Sequence, residues 1–201
     1  MRKFFLYFVA CAVCALAACG NKQTSKTEQK SETTVNDSIA KSTVAEENEM
    51  TYFPAIDRYL QGIGSQYAKG DLCIPCYSIV DVDETNADDI LVWGDFWVFN
   101  YNQVGDTLKT VSGGSHPGMM HIRQTEKGFE VTGFDQVADG SEFTKTAQKI
   151  FGKRYDAFMA INSNGDRKEK RRKEALLEYV EKHSLPVTTY QDYGWPPVKI
   201  K

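Results

Sequence analysis

The chain has 201 residues, of which 41% are apolar and 12% aromatic, enough for the core of one globular domain. Its 24 Lys and Arg against 27 Asp and Glu leave a net charge of -3, which argues against nucleic acid as a partner because phosphate binding requires clustered, unbalanced basic residues. A charged fraction of 25% likewise excludes a polytopic membrane protein.

The first eighteen residues have the pattern of an export signal peptide. The basic residues Arg2 and Lys3 precede an apolar run over 4–18, shorter than the roughly 20 residues of a membrane span. The segment Leu16–Cys19 resembles the lipobox of bacterial lipoproteins. That resemblance implies cleavage after residue 18 and a lipid anchor on the sulfur of Cys19. The alternative is an ordinary signal peptide that is cut nearby.

Residue 20 is Gly rather than the Asp that tends to retain enterobacterial lipoproteins at the inner membrane. We therefore predict a lipoprotein of the bacterial cell envelope, held at the outer membrane and facing the periplasm. Residues 19–50 are predicted to be the lipidated cysteine and a disordered tether, because residues 20–50 are polar and contain no aromatic residue. As a flexible coil such a tether spans about 30 Å.

Residues 51–201 are predicted to form a single α+β domain. The segment 52–70 is predicted to be an amphipathic helix, since Pro54 suits a first turn and apolar residues then recur every three or four positions. We expect this helix to pack on a curved antiparallel sheet of four to five strands. Turn residues separate the predicted strands, which are 78–83, 90–101, 106–112, 119–124 and 129–137. After Gly140 the apolar spacing becomes helical and predicts three short C-terminal helices.

The last part of the chain is rich in aromatic residues and proline. It contains Tyr190, Tyr193 and Trp195, followed by Pro196 and Pro197. We expect this tail to pack on the domain as an extended segment, because exposing so many aromatic side chains would create a large apolar patch.

The order of one helix followed by an antiparallel meander, over residues 52–137, resembles the cystatin and nuclear-transport-factor-2-like α+β folds. A second resemblance covers residues 128–180, where Gly-Phe-Glu-Val, Ala-Asp-Gly-Ser-Glu-Phe and Lys-Ile-Phe are similar to the accessory domain that follows the membrane peptidase in BlaR-type sensor proteins. The chain lacks the His-Glu-x-x-His zinc motif, so peptidase activity is not implied. Either resemblance implies an extracytoplasmic sensing or binding module.

The spacing of Cys73 and Cys76 around Ile74-Pro75 resembles the redox centre of thioredoxin-type oxidoreductases. There a following helix lowers the pKa of the first thiol, whereas here the following residues are predicted to form a strand. In an extended segment the two α-carbons lie about 10 Å apart, beyond the roughly 7 Å that a disulfide tolerates. A disulfide in a local turn, two unpaired thiols and a catalytic dithiol all stay open.

A glycine-rich segment over residues 112–118 separates two predicted strands and contains Ser115 and His116. Such loops can bind anions through backbone N–H groups, but the Lys and the following helix of a phosphate-binding loop are missing. We predict that Ser115 and His116 line a pocket at the open end of the sheet, with Asp95 or Asp135 nearby. The alternative is a tight hairpin that carries a surface histidine.

Alternation along the most aromatic strand places Trp93, Trp97, Phe99 and Tyr101 on one face and Phe96 on the other. One face must meet the N-terminal helix. The other face is either a binding surface, with Trp93 and Trp97 lining the pocket, or is buried under the C-terminal helices.

Two charged segments are assigned to solvent. The acidic cluster that begins at Asp81 fails the calcium-loop template, because Asn86 and Val92 stand where Gly and Glu are required. Residues 167–173 contain six basic residues and one acid, which favours the solvated face of a helix over contact with anionic lipid. We predict no metal and no cofactor.

No complete catalytic constellation is present, which argues against an enzyme. The sequence therefore predicts a membrane-anchored lipoprotein that binds a small ligand or an envelope protein. The alternative functions are a thiol oxidoreductase that uses Cys73 and Cys76, and a hydrolase that uses His116.

Overall fold

The computed structural model describes residues 51–200. The predicted signal peptide, Cys19 and the predicted tether lie outside the described residues. Within the described range, no helix has both the length and the apolar character required to cross a membrane.

Strands and helices occur in separate runs along the described part of the chain, which confirms the α+β class. In chain order the elements are α1 (Phe53–Gly64), β1 (Leu72–Asp83), β2 (Ile90–Val104), β3 (Thr107–Thr125), β4 (Gly128–Gln136), α2 (Phe143–Phe151), α3 (Tyr155–Asn162), α4 (Gly165–Lys182), β5 (Thr189–Gln191) and β6 (Val198–Lys199). Short 3-10 turns precede α2 and α3.

The described strands form one open sheet of six. Strands β1 to β4 are an antiparallel meander, as predicted. The sheet differs from the prediction at its far edge, where β5 pairs in parallel with the start of β3 and β6 pairs with β5. These two strands are only three and two residues long, so no alternation in the sequence marks them.

The glycine-rich segment is not a loop between two strands, and that prediction is wrong. Residues 112–118 lie inside the 19-residue strand β3. A Cβ atom on Gly114 would lie 2.4 Å from the hydroxyl oxygen of Tyr67, and one on Gly118 would lie 2.3 Å from the carbonyl oxygen of Asp135. These glycines therefore allow close approach of neighbouring groups to the sheet rather than a change of chain direction.

Helices cover both faces of the sheet. On one face α1 packs over strands β2 and β3, in a cluster that includes Ile56, Leu60, Val92, Phe96 and Met120. On the other face α2, α3 and α4 pack in two clusters, one around Trp93, Ala147, Phe151 and Phe158 and the other around Tyr101, Leu176, Val180 and Tyr190. The aromatic face of β2 is therefore buried under the C-terminal helices for most of the strand's length. This is one of the two possibilities that the sequence leaves open.

The C-terminal tail packs on the domain only in part. Tyr190 and Ile200 are buried, as expected. Tyr193 and Trp195 are instead 97% and 70% exposed, because they lie in the loop that joins β5 to β6. Gly194 takes a positive φ of 77° in that loop, a turn conformation that glycine adopts readily.

Candidate functional site

A cavity of about 200 Å³ lies between the sheet and the N-terminal half of α4. Strand β1 contributes Cys76 and Ser78 to its walls, and β2 contributes Asp95, Trp97 and Phe99. The opposite wall consists of helix residues, namely Gly165, Lys168, Glu169, Arg171 and Arg172. The space thus forms where the helix and the sheet do not close on each other.

The elements around the cavity become polar at the same place. Along β1 the inward positions run from the buried Ile74 to Ser78, and along β2 Asp95 interrupts a row of aromatic residues. Along α4 the inward stripe is apolar at Leu176 and charged at Lys168. Polar residues at positions where the fold pattern calls for apolar ones occur mainly at functional sites.

Asp95 is the most deeply buried charged residue of this site, with an exposed fraction of 1%. Its Oδ1 atom accepts a hydrogen bond of 3.0 Å from Trp97 Nε1. Its Oδ2 atom has only longer contacts, to Asn162 Nδ2 at 3.4 Å and to Lys168 Nζ at 3.6 Å. Burial raises the pKa of Asp95, and the positive charge of Lys168 acts against that rise. The cost of burying the Asp95 carboxylate is therefore only partly offset by its hydrogen bonds and by the charge of Lys168.

We expect Asp95→Asn to stabilise the fold at pH 7 by about 0.5–2 kcal/mol, the usual gain when a strained functional group is replaced. A carboxyl whose pKa is raised by folding contributes stability below its unfolded value of about 3.9 and loses it as pH rises through the folded pKa. The difference in the free energy of unfolding between the variant and wild type should therefore be larger at pH 7 than at pH 4. Urea unfolding at both pH values measures it, with the exposed Asp139→Asn as the control. A variant that is less stable than wild type at both pH values would contradict this account.

Trp97 and Phe99 form the aromatic wall of the cavity. Their rings are nearly parallel, with an interplanar angle of 10° and centroids 5.9 Å apart. The ammonium of Lys168 lies 4.9 Å from the centre of the Trp97 ring, and the guanidinium of Arg172 lies 4.1 Å from that of Phe99. These cation–π contacts hold both basic side chains at the rim of the aromatic surface.

Arg172 closes one end of the cavity and links α4 to the C-terminal tail. It donates hydrogen bonds of 2.8 and 2.7 Å to the two oxygens of Asp192, and others to the hydroxyls of Tyr101 and Thr110 at 2.9 Å. Burial opposes the charge on Arg172, but the bonds to Asp192 and Tyr101 raise its pKa overall. The same bonds lower the pKa of Asp192. The prediction of a solvated basic helix face is therefore wrong at this residue, which is 8% exposed.

Of the two tryptophans predicted to line a pocket, only Trp97 does so. Trp93 is buried against α2 and α3, where its Nε1 atom donates a hydrogen bond of 3.0 Å to the carbonyl of Ile150. The guanidinium of Arg154 covers the Trp93 ring at 3.6 Å. Trp93 therefore belongs to the core and not to the candidate site.

The predicted pocket around Ser115 and His116 does not form. Neighbouring residues of one strand point to opposite faces, so Ser115 lies on the Trp97 side while His116 lies on the α1 side. His116 is 7% exposed, and its Nε2 atom lies 2.9 Å from the hydroxyl of Tyr67. Its Nδ1 atom has no partner among residues 51–200. Asp135 instead lies beside His121, with its side chain 61% exposed, so within residues 51–200 no carboxylate is bonded to either ring nitrogen of His116.

Cys73 and Cys76 are both free thiols in strand β1. Cys73 faces α1, where a Cβ atom on Gly64 would meet its sulfur at 2.5 Å, whereas Cys76 lines the cavity on the other face. A disulfide between them is geometrically impossible without rebuilding the strand. Burial raises the pKa of Cys73, and it raises that of Cys76 to about 12. Of the three interpretations left open, two unpaired thiols matches the structure, and the dithiol lacks the acidic thiol that redox catalysis needs.

Comparison with protein-family models, curated proteins and solved structures finds no match to the chain. The resemblances to the cystatin and nuclear-transport-factor-2-like folds, to BlaR-type accessory domains and to the bacterial lipobox therefore stay predictions.

Proposed function

We propose that the protein is a membrane-anchored lipoprotein of the bacterial cell envelope whose globular domain binds a small ligand in the cavity between β1, β2 and α4. The observation that supports it most is the placement of the buried Asp95 and the half-buried Lys168 beside unfilled space. A buried carboxylate with long hydrogen bonds reduces stability, and a site that serves function accounts for it.

The shape of the site favours a small ligand over a protein partner. The cavity lies between two layers of the fold and combines an aromatic wall with a few polar groups, as small-molecule sites do. Its volume of about 200 Å³ suits a ligand of one ring. The lipid anchor on Cys19, the outer-membrane location facing the periplasm and the curvature of the sheet around α1 belong to this proposal as well.

A ligand screen by thermal shift tests the proposal on protein that lacks residues 1–19. The compounds should include neutral, anionic and cationic metabolites, and the variants should be Lys168→Met and Lys170→Met. Lys170 is the matched control, because its side chain is 80% exposed on the same helix. We expect at least one compound to raise the Tm of wild type and of Lys170→Met but not of Lys168→Met. The proposal would be contradicted if every compound that raises the Tm of wild type also raised the Tm of both variants by the same amount.

A further inference from the structure

The cavity holds an acceptor and a donor that one ligand can reach together. The contacts of Asp95 Oδ2, at 3.4 Å to Asn162 and 3.6 Å to Lys168, are longer than the roughly 2.9 Å of a good N–H···O bond. This oxygen is therefore only weakly hydrogen-bonded and would gain from a closer donor. The ammonium of Lys168 has room for a closer acceptor, since it carries three N–H groups.

A ligand with a net charge fits this arrangement poorly. An anionic group bound to Lys168 would lie beside the buried carboxylate of Asp95. A cationic group bound to Asp95 would lie beside Lys168, with Arg171 and Arg172 also in the cavity wall. Like charges at short range away from bulk water repel strongly. A neutral ligand avoids both repulsions.

Neighbouring hydroxyl groups satisfy both residues at once. A hydroxyl has one donor and two acceptor lone pairs, so one hydroxyl can donate to Asp95 Oδ2 while the next accepts from Lys168 Nζ. Ser78 lies directly opposite Asp95 in the β1–β2 register and also lines the cavity. The hydroxyl of Ser78 can donate or accept, as a further hydroxyl group of the ligand requires.

The remaining walls suit a saturated ring. Trp97 and Phe99 line the cavity with aromatic side chains, and Lys168 and Arg172 contact part of their ring faces. The remaining apolar area can bury the C–H groups of a pyranose ring. The cavity has a volume of about 200 Å³, which accommodates one ring.

The geometry points to a neutral pyranose sugar unit as the ligand of this cavity, with vicinal hydroxyls on Asp95 and Lys168 and the ring against Trp97. This inference rests on the proposed function and names the ligand class of the same site.

Isothermal titration calorimetry on protein that lacks residues 1–19 tests the ligand class. The neutral probes are the methyl glycosides of glucose, galactose, mannose and N-acetylglucosamine, and the charged probes are glucuronic acid and glucosamine. We expect at least one neutral glycoside to bind, with the charged probes about tenfold weaker or more. Asp95→Asn and Lys168→Met should each weaken that binding about tenfold or more, the loss expected for a hydrogen bond to a charged group. Lys170→Met should bind like wild type.

Two results would overturn the sugar class. One is tighter binding of glucuronic acid or glucosamine than of every neutral glycoside, and the other is the absence of heat from all six probes at millimolar concentration. Urea midpoints of the variants show whether a lost signal reflects lost folding. If the library screen yields a Lys168-dependent ligand that is not a sugar, the proposed function stands and the sugar class fails. If no compound in either experiment depends on Lys168, both fail.

Discussion

Replacing Arg172 by Met is expected to lower the free energy of unfolding by about 3–5 kcal/mol, the range for removing one partner of a buried ion pair. The side chain of Arg172 is 10% exposed and donates to Asp192, Tyr101 and Thr110. Methionine fills a similar volume but leaves these acceptors without their donor. Because the side chain of Asp192 is 40% exposed, water can compensate it in part, which places the effect near the lower end of the range.

Urea unfolding at pH 7 measures the effect, with Lys170→Met as the matched control on the same helix. Lys170 is 80% exposed and pairs with Glu174 only at 3.9 Å, so its replacement should change stability by about 0.5 kcal/mol or less. Arg172 lowers the pKa of Asp192. The stabilisation by this pair is therefore present above the unfolded value of about 3.9 and is lost as pH falls through the folded pKa. An Arg172→Met protein within about 1 kcal/mol of wild type at pH 7 would fall well short of the range for a buried pair.

Replacing Phe158 by Ala is expected to lower the free energy of unfolding by about 3–5 kcal/mol, as for other large-to-small changes of buried aromatic residues. Phe158 is fully buried in α3 and stacks on Phe151 with ring centroids 4.0 Å apart. It lies one helical turn before Asn162, which contacts Asp95. The substitution should therefore also weaken ligand binding in the cavity, since it loosens the helix that positions Asn162.

The control for this variant is Phe53→Ala. Phe53 is 41% exposed in the first turn of α1, so its loss should reduce stability by about 1–2 kcal/mol. Chemical denaturation of both variants compares them directly. Equal effects at the two positions would mean that α2 and α3 do not form the tightly packed layer over Trp93.

Local sequence patterns predict α1 and the antiparallel order of the meander, but they divide β3 into two strands. The alternation of β2 separates Phe96 from Trp97 correctly, and the helical spacing identifies α1 and α4. The pairing of Thr107 with Thr189 could not be predicted, because it joins distant segments and β5 is too short to show a period. The glycines of β3 were misread for a different reason, since glycine marks both turns and close approaches to a strand.

Of the residues that line the candidate site, the sequence analysis singles out Trp97, Asp95 and Cys76, but it places Trp97 and Asp95 at a pocket with Ser115 and His116 that does not form. The basic run favours a solvated helix face for Lys168 and Arg172, although they share one stripe with the buried Leu176 and Val180 at spacings of four residues. That continuity is the signal that could have identified them. Asp95 gave a second signal, since it stands at an inward position of an otherwise aromatic row. The contribution of Asn162 depends on how α3 is placed over the sheet, which no local pattern encodes.

The indole N–H signals of the three tryptophans in a ¹H–¹⁵N NMR titration test most directly whether the cavity is the ligand site. Trp97 Nε1 donates to Asp95 beside the cavity, Trp93 Nε1 donates to a backbone carbonyl in the core, and Trp195 is 70% exposed in the β5–β6 loop. With the methyl glycosides as probes, we expect the Trp97 signal to shift while those of Trp93 and Trp195 stay in place. A shift confined to Trp195 would place binding at the exposed loop and contradict the account.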